Sequence, residues 1–337
     1  MSTLIVPVTS ISKIRPHPGA DRLEIAEVLG WQVVIPKGQY REGQKVVYVP
    51  PDAVLPQTLS DALGVTKYLA NGRVLTARLR GEPSFGFVID PMDNWDFGEN
   101  VAEQLGITKY EPPLRPQVSG SLPDHPLFVS YTEIENLRNF PNIIKEGEMV
   151  SVTEKIHGTN CRVGVIDGEA MAGSMRVRFE RPENTGTHLY WFPWNLASVN
   201  LLLTELGRSY RQVILFGEVF GKVQSFHYGL PNGLDFVAFD LMIEGKYVDY
   251  HIFKAFMDAY EVPMVPVLVE RKFDLEIIKN LSGGYTRLRR GLTKVDQIRE
   301  GVVVRPLKER TDPVVGRVIL KYLSDDYLLS KHSDYKE

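Results

Sequence analysis

The sequence predicts two domains in series: an all-β barrel over the first ~110 residues, then an α+β domain of mixed antiparallel sheets with flanking helices. Three observations carry this expectation. At roughly 100–200 residues per domain, 337 residues suit two. The first part consists of short strands broken by turn residues, with one helix-like stretch. In the second part strands and helices do not alternate one for one, which argues against a doubly wound parallel sheet.

Leu23 to Trp31 and Gln32 to Pro36 read as a strand pair bent around Gly30. Gln44 to Val49 follows a turn at Gly43, Arg73 to Arg80 alternates, and Phe85 to Ile89 is a further apolar strand. Leu55 to Leu63 is the helix-like insertion, and about five strands in this space suit a small Greek-key barrel. Glu111-Pro-Pro-Leu-Arg-Pro and then Ser119-Gly-Ser-Leu-Pro mark a linker, so domains are expected at 1–112 and 126–337 with 113–125 between them. In the second domain Met149 to Glu154, Arg211 to Phe216 and Asp235 to Met242 read as strands, and Leu196 to Arg208 has helical spacing. Gly301 to Arg305 and Val314 to Lys321 supply late strands, and the tail from Asp325 reads as helix.

A hydrophobic fraction of 43% and a charged fraction of 24% are those of a globular chain, so either half can bury a core. The lone cysteine, Cys161, excludes an intrachain disulfide framework and a thiolate zinc cluster, and suits a reducing compartment. There is no cleavage-type leader and no long apolar run, so a cytoplasmic or nuclear protein without a membrane partner is expected. The net charge of −3 argues against broad coating of nucleic acid but leaves room for a local basic groove. Arg287, Arg289, Arg290, Lys294, Arg299, Arg305, Lys308, Arg310 and Arg317 form either such a groove or a solvated helix face with loops.

Glu154-Lys155-Ile156-His157-Gly158-Thr159-Asn160 follows a strand. Gly158 permits close approach of backbone or ligand. A lysine at such a junction becomes a nucleophile when it is partly desolvated or set beside another cation. Taken alone, Lys155 also fits a surface lysine, and the partners that follow it in order decide the reading. Lys155-Ile-His-Gly-Thr-Asn160 resembles the nucleophile motif of the RNA ligase 2 type. That type belongs to the covalent nucleotidyltransferase superfamily of DNA ligases, RNA ligases and mRNA capping enzymes. DNA ligases and capping enzymes usually carry aspartate where His157 stands and arginine where Asn160 stands. Phe216-Gly-Glu-Val-Phe-Gly221 resembles the third motif, Phe236-Val-Ala-Phe-Asp240 the aromatic motif, Glu300-Gly-Val-Val-Val-Arg305 the fourth and Val318-Ile-Leu-Lys321 the fifth.

His17-Pro-Gly-Ala-Asp-Arg-Leu-Glu24 and Arg78-Leu-Arg-Gly-Glu-Pro-Ser-Phe-Gly86 resemble an OB-fold related to tRNA-binding domains. An OB-fold ahead of an RNA ligase 2-like catalytic domain is the arrangement of the Deinococcus and Naegleria type of RNA ligase. The resemblance then covers nearly the whole chain, including Leu105 to Pro113. It implies an N-terminal OB-fold barrel and a nucleotidyltransferase domain of ATP-grasp-like antiparallel sheets with flanking helices.

The resemblance also implies roles. Lys155 attacks ATP and carries the AMP, with Gly158 beside the nucleotide. Glu218 accepts hydrogen bonds from the ribose hydroxyls, against the plainer reading of a strand-end salt bridge. Phe239 stacks on adenine; as part of strand 235–242 it equally suits the core, and Phe236 is the alternate. Glu300, read as ending a helix, positions a hydrated Mg2+ or Mn2+, the metal that a departing pyrophosphate requires. Lys321 approaches the α-phosphate. The second lysine common in the fifth motif is missing, with Ile319 and Leu323 at both candidate places. Its role falls to Lys321 or to another cation such as Arg317.

Arg176 would grip the 5′-phosphate of the acceptor strand with two parallel hydrogen bonds, with Asn160 beside it. Arg178 shares its face if both lie in one strand. His157 is given no proton transfer. In the barrel, Arg78, Arg80 and Lys13 contact the RNA backbone or are simply solvated. The expected reaction joins an RNA 3′-hydroxyl to the 5′-phosphate of RNA or DNA at a nick in a duplex, using ATP, in a monomeric enzyme. The rivals are a capping-type guanylyltransferase using GTP and an RNA-binding protein with a degenerate catalytic domain.

Overall fold

The computed structural model describes residues 4–111, 120–288 and 297–333. The chain forms two compact units, one of Met1–Leu114, Leu137–Pro141 and Asp325–Glu337, the other of Arg115–Asn136 and Asn142–Ser324. Residues 137–141 and the tail from Asp325 therefore group with the N-terminal residues rather than with an unbroken 126–337 domain.

The first unit contains β1 (Val8–Ser10), β2 (Lys13–Pro16), β3 (Leu23–Val28), β4 (Trp31–Pro36), β5 (Lys45–Val49), β6 (Ala53–Val54), α1 (Gln57–Ala62), β7 (Thr76–Leu79), β8 (Glu82–Phe85), β9 (Phe87–Ile89) and β10 (Thr108–Lys109). They pair as small antiparallel sheets, β2-β3-β4, β1-β5-β9, β7-β8 and β6-β10. Leu29 and Gly30 join β3 to β4 with φ of 53° and 74°, the left-handed pair that matches a two-residue hairpin turn to twisted strands. Val8, Val47, Val49, Val74, Ile89 and Trp95 fill the core.

Two strand expectations change. The alternation from Arg73 does not form one strand: β7 begins at Thr76, and Arg80 with Gly81 (φ 52° and 96°) turns the chain into β8. The run Phe85 to Ile89 breaks at Gly86, where φ is 77° and a Cβ would lie 2.2 Å from the Val49 carbonyl oxygen. A terminal helix, Asp325–Leu329, packs on these strands. Thr76 Oγ1 donates to the Leu328 carbonyl at 2.9 Å. The buried Arg138 places Nη2 2.6 Å from Asp325 Oδ1 and its guanidinium 4.1 Å from the Trp31 ring centre.

The second unit contains β11 (Ser121–Leu122), β12 (Glu135–Asn136), β13 (Met149–Lys155), β14 (Thr159–Ile166), β15 (Glu169–Ser174), β16 (Arg178–Phe179), α2 (Ala197–Gly207), β17 (Gln212–Gly221), β18 (Leu234–Ile243), β19 (Lys246–Tyr247), α3 (Tyr250–Ala259), β20 (Val267–Lys272), α4 (Leu275–Ser282), β21 (Gly301–Pro306), β22 (Thr311–Asp312), β23 (Gly316–Arg317) and β24 (Leu320–Leu323). A seven-stranded sheet runs β11-β16-β15-β14-β17-β18-β19, and a five-stranded sheet runs β12-β24-β21-β13-β20. Only the β12–β24 pair in these sheets is parallel. β11 falls within the stretch expected to be a linker.

The apolar run of β17 serves both faces of its sheet. Val213, Leu215 and Val219 join Leu202 and Leu206 of α2 and Phe253 of α3. Ile214 and Phe216 join Phe128, Tyr131, Met242 and Ile319, with Val303 of β21 packed against them. Each aliphatic side chain fully buried in these layers contributes about 1.5–3 kcal/mol. The expected strand Val314 to Lys321 is two strands in different sheets, β23 and β24.

Candidate active site

β13 ends at Lys155, and the chain turns through Ile156, His157 and Gly158 into β14. Gly158 is required by close approach: a Cβ there would lie 2.3 Å from the Val219 carbonyl oxygen. Its N–H donates to Glu218 Oε1 at 3.0 Å. Asn160 pairs directly opposite Glu218 across β14 and β17, so both side chains leave the sheet on one face.

Lys155 Nζ lies 2.8 Å from Glu300 Oε1, and His157 Nδ1 lies 3.4 Å from Glu300 Oε2. Burial acts to raise the Glu300 carboxyl, but Lys155 and His157 together hold it below the ordinary glutamate value. Glu218 goes the other way. Burial pushes it up to about 7, with Glu300 adding to the rise and Lys155 opposing it.

Glu218 and Lys155 line a cleft of about 200 Å³ between the two sheets. Lys155, Asn160, Glu218, Phe239, Tyr131 and Val303 are among its walls. Phe239 is half-buried there, with its ring centre 4.8 Å from that of Tyr131. Phe236 is fully buried in the core on the other face, which removes it as the alternate. Asn160 Oδ1 is buried and accepts no hydrogen bond among the described residues. A buried acceptor of this kind calls for a donor such as a hydroxyl or water.

Val303 of β21 pairs opposite both Thr153 of β13 and Lys321 of β24. Directly opposed residues share a face, so Lys321 lies on the cleft side, two strands from β13. Ile319 lines the same cleft as an apolar residue.

Arg317 cannot stand in for the missing lysine. Its guanidinium is buried, with Nη2 2.7 Å from both Asp240 Oδ2 and Glu309 Oε1, and lies 3.5 Å from the Tyr247 ring centre. Arg176 and Arg178 do not share a strand. Arg176 is exposed in the turn between β15 and β16, whereas Arg178 lies in β16 with Nε donating to the Pro123 carbonyl at 3.0 Å. Ser174, just before that turn, pairs with Cys161 of β14, which sets the turn at the Asn160 end of the sheet.

Glu300 does not end a helix among the described residues. Ile298 forms a bridge with Tyr285, and Glu300 leads straight into β21. The basic stretch is not one groove either. Arg305 and Arg317 pair with Asp240, Arg310 pairs with Glu148, and Arg299 donates to the Leu281, Gly283 and Tyr285 carbonyls. Arg289, Arg290 and Lys294 lie outside the described residues.

Among the described residues no group of three His, Cys, Asp or Glu side chains is set to hold a metal. The carboxylates of Glu218 and Glu300 are oxygen donors of the kind that suits magnesium or manganese with most of its waters retained. In the first unit Lys13, Arg78 and Arg80 are all exposed, with Arg78 Nη1 donating to the Gly81 carbonyl at 3.1 Å and Arg80 at the hairpin tip.

Tyr131, Tyr250 and Phe253 also line the cleft, and the sequence alone does not point to them. None lies within a motif, and no local signal marks them. Arg305, the last residue of the fourth motif, could have been singled out from its place there.

Two largely antiparallel sheets closing on a cleft of this chemistry define an enzyme that works on nucleotides. The chain belongs to the RNA ligase family, whose model matches residues 148–323, more than half of it. An OB-fold domain model matches residues 5–91, so the N-terminal part is an OB-fold domain. No curated protein matches the chain.

Solved structures of Naegleria gruberi RNA ligase are similar over nearly the full length. A lysine-to-methionine variant with AMP and manganese is 25% identical with a TM-score of 0.75, covering 96% of this chain and 98% of that one. A glutamate-to-alanine variant with ATP and manganese is 25% identical with a TM-score of 0.73, covering 96% and 98%. A lysine-to-alanine variant without ligand is 26% identical with a TM-score of 0.75, covering 96% and 97%.

Proposed function

We propose that this RNA ligase uses ATP, stores AMP on Lys155 and seals nicks in duplexes that present an RNA 3′-hydroxyl. The observation that carries the reading is the Lys155 amine 2.8 Å from Glu300, in a cleft that also presents Glu218, Asn160 and Phe239. The Naegleria relatives solved with AMP or ATP and manganese support the choice of nucleotide and metal.

In the first step the deprotonated Lys155 Nζ forms a bond to the α-phosphorus, and the bond to the bridging oxygen breaks as pyrophosphate leaves. Phe239 offers its ring face to adenine, Asn160 Oδ1 and Glu218 offer acceptors to hydroxyl donors, and Lys321 meets charge developing on the α-phosphate. Glu300 and Glu218 would hold a divalent ion, which would neutralise phosphate charge when bound. An oxygen of the 5′-phosphate then attacks the same phosphorus, the phosphorus–nitrogen bond breaks, and Lys155 regains a proton. Arg176 grips that 5′-phosphate. Finally the RNA 3′-hydroxyl attacks the activated phosphate, a phosphodiester forms and AMP departs. Arg78, Arg80 and Lys13 of the OB-fold domain bind the nucleic-acid backbone.

The test is incubation of the purified protein with labelled ATP or GTP and manganese. A covalent band from ATP that vanishes in Lys155→Ala is expected; labelling by GTP alone would move the protein to the capping type. Sealing of matched nicks ending in ribose or deoxyribose tests the substrate, and equal sealing of both would remove the preference for RNA.

A further inference from the structure

The turn after Lys155 is held from a direction that none of the sequence motifs marks. Tyr228, in the connection between β17 and β18, is almost fully buried and has φ of 47°. That left-handed conformation is unusual for a bulky residue and persists only where its surroundings impose it. Its phenol oxygen accepts the His157 N–H at 2.7 Å. The neighbouring Phe226 meets the His157 ring edge-on at 5.1 Å.

The Tyr228 N–H donates to Gln297 Oε1 at 3.1 Å. Thr286 N in turn donates to the Gln297 carbonyl at 3.0 Å. On the other side of the nucleophile, Glu154 accepts the Thr286 hydroxyl and the Arg287 N–H. Lys155 is thus flanked by two anchors that meet on the same two short segments, 286–287 and Gln297.

We propose that Tyr228 is a positioning residue for the nucleophile turn: its phenol oxygen fixes the His157 N–H, and through it the backbone that aims Lys155. The inference rests on the reading of Lys155 as the nucleophile. Removing the oxygen leaves a buried N–H without its acceptor, and the turn must shift to satisfy it. A small displacement of a nucleophile costs rate far more than it costs folding.

The experiment compares the full chain with Tyr228→Phe, which keeps the ring. Single-turnover labelling with ATP and manganese gives a rate constant and an amplitude. The expected result is a rate constant lower by about tenfold or more, with amplitude, melting temperature and the ATP concentration for half-maximal rate nearly unchanged. An unchanged rate constant, or a fall in amplitude alone, marks Tyr228 as packing and overturns the proposal.

Should Tyr228→Phe show no cooperative melt, Gln297→Ala decides. A slower rate at full amplitude supports the anchor, and an unaltered rate overturns it. Hydrogen exchange of the peptide spanning 155–160, faster in the variant, reports the geometry without chemistry. If the unaltered protein takes no label from ATP, the nucleotide reading fails, and exchange alone still decides the role of Tyr228.

Discussion

Lys155 and Glu300 form an ion pair that is shielded on one side only: the lysine side chain is 26% exposed and the glutamate 5%. Replacing one member of a wholly buried pair costs about 3–5 kcal/mol because the other charge is left without water. Here Lys155 still reaches solvent. Glu300→Ala is expected to cost about 1–3 kcal/mol in a urea melt and to slow adenylation by about a hundredfold or more. A variant that labels at the normal rate would show the pair to be idle.

Glu218 gives a pH signature of opposite sign to Glu300. Its folded value of about 7 lies above the ordinary 4.5, so between these the folded protein keeps a proton that the unfolded chain has released. Stability therefore falls as pH rises through this window, by on the order of 1–3 kcal/mol. Glu300, held low, contributes stability that is present above the ordinary value and is lost as pH falls through its lower folded value. Melting temperatures at pH 5 and pH 8 are expected to differ less in Glu218→Gln than in the unaltered protein. Equal differences would place the titration elsewhere.

Asp240 sits with no exposed surface between Arg305 Nη1 at 2.9 Å and Arg317 Nη2 at 2.7 Å, and accepts the Tyr131 hydroxyl at 2.8 Å. Asp240→Ala strands two buried guanidinium groups and is expected to cost about 3–5 kcal/mol in denaturant melts. A loss below about 1 kcal/mol would mean that water or Glu309 takes over the pairing.

Arg176 and Arg178 should separate cleanly. Arg176→Ala is expected to leave stability within about 0.5 kcal/mol and self-labelling intact, while transfer of AMP to a 5′-phosphate strand slows by about tenfold or more. Arg178→Ala loses its bond to the Pro123 carbonyl and should lower stability instead. Normal transfer in both variants would put the phosphate grip on another side chain.

What the sequence disclosed and what it hid follow from how local each signal is. Lys155, Asn160, Glu218 and Phe239 meet in one cleft, each carried by a short motif on or beside a single strand. Position within such a motif could be read, but side-chain commitment could not. By position Arg317 is an available cation, whereas in the fold Asp240 and Glu309 hold it. Arg176 and Arg178 looked equivalent because nothing in their spacing reveals that the chain turns between Ser174 and Val177. Tyr131 and Tyr228 reach the site from distant segments, and only tertiary structure shows which hydrogen bonds they make.

The tail helix Asp325–Leu329 packs with residues laid down long before it, Thr76 bonding to Leu328 across 252 positions and Arg138 to Asp325 across 187. Domains usually fold as units in the order in which the ribosome delivers them. This OB-fold unit cannot be completed in that order, because its last pieces are synthesised after the whole catalytic unit. A nascent chain stalled before Asp325 would carry a finished catalytic sequence behind an unfinished first unit, with its Arg138 guanidinium lacking the carboxylate it meets in the complete protein.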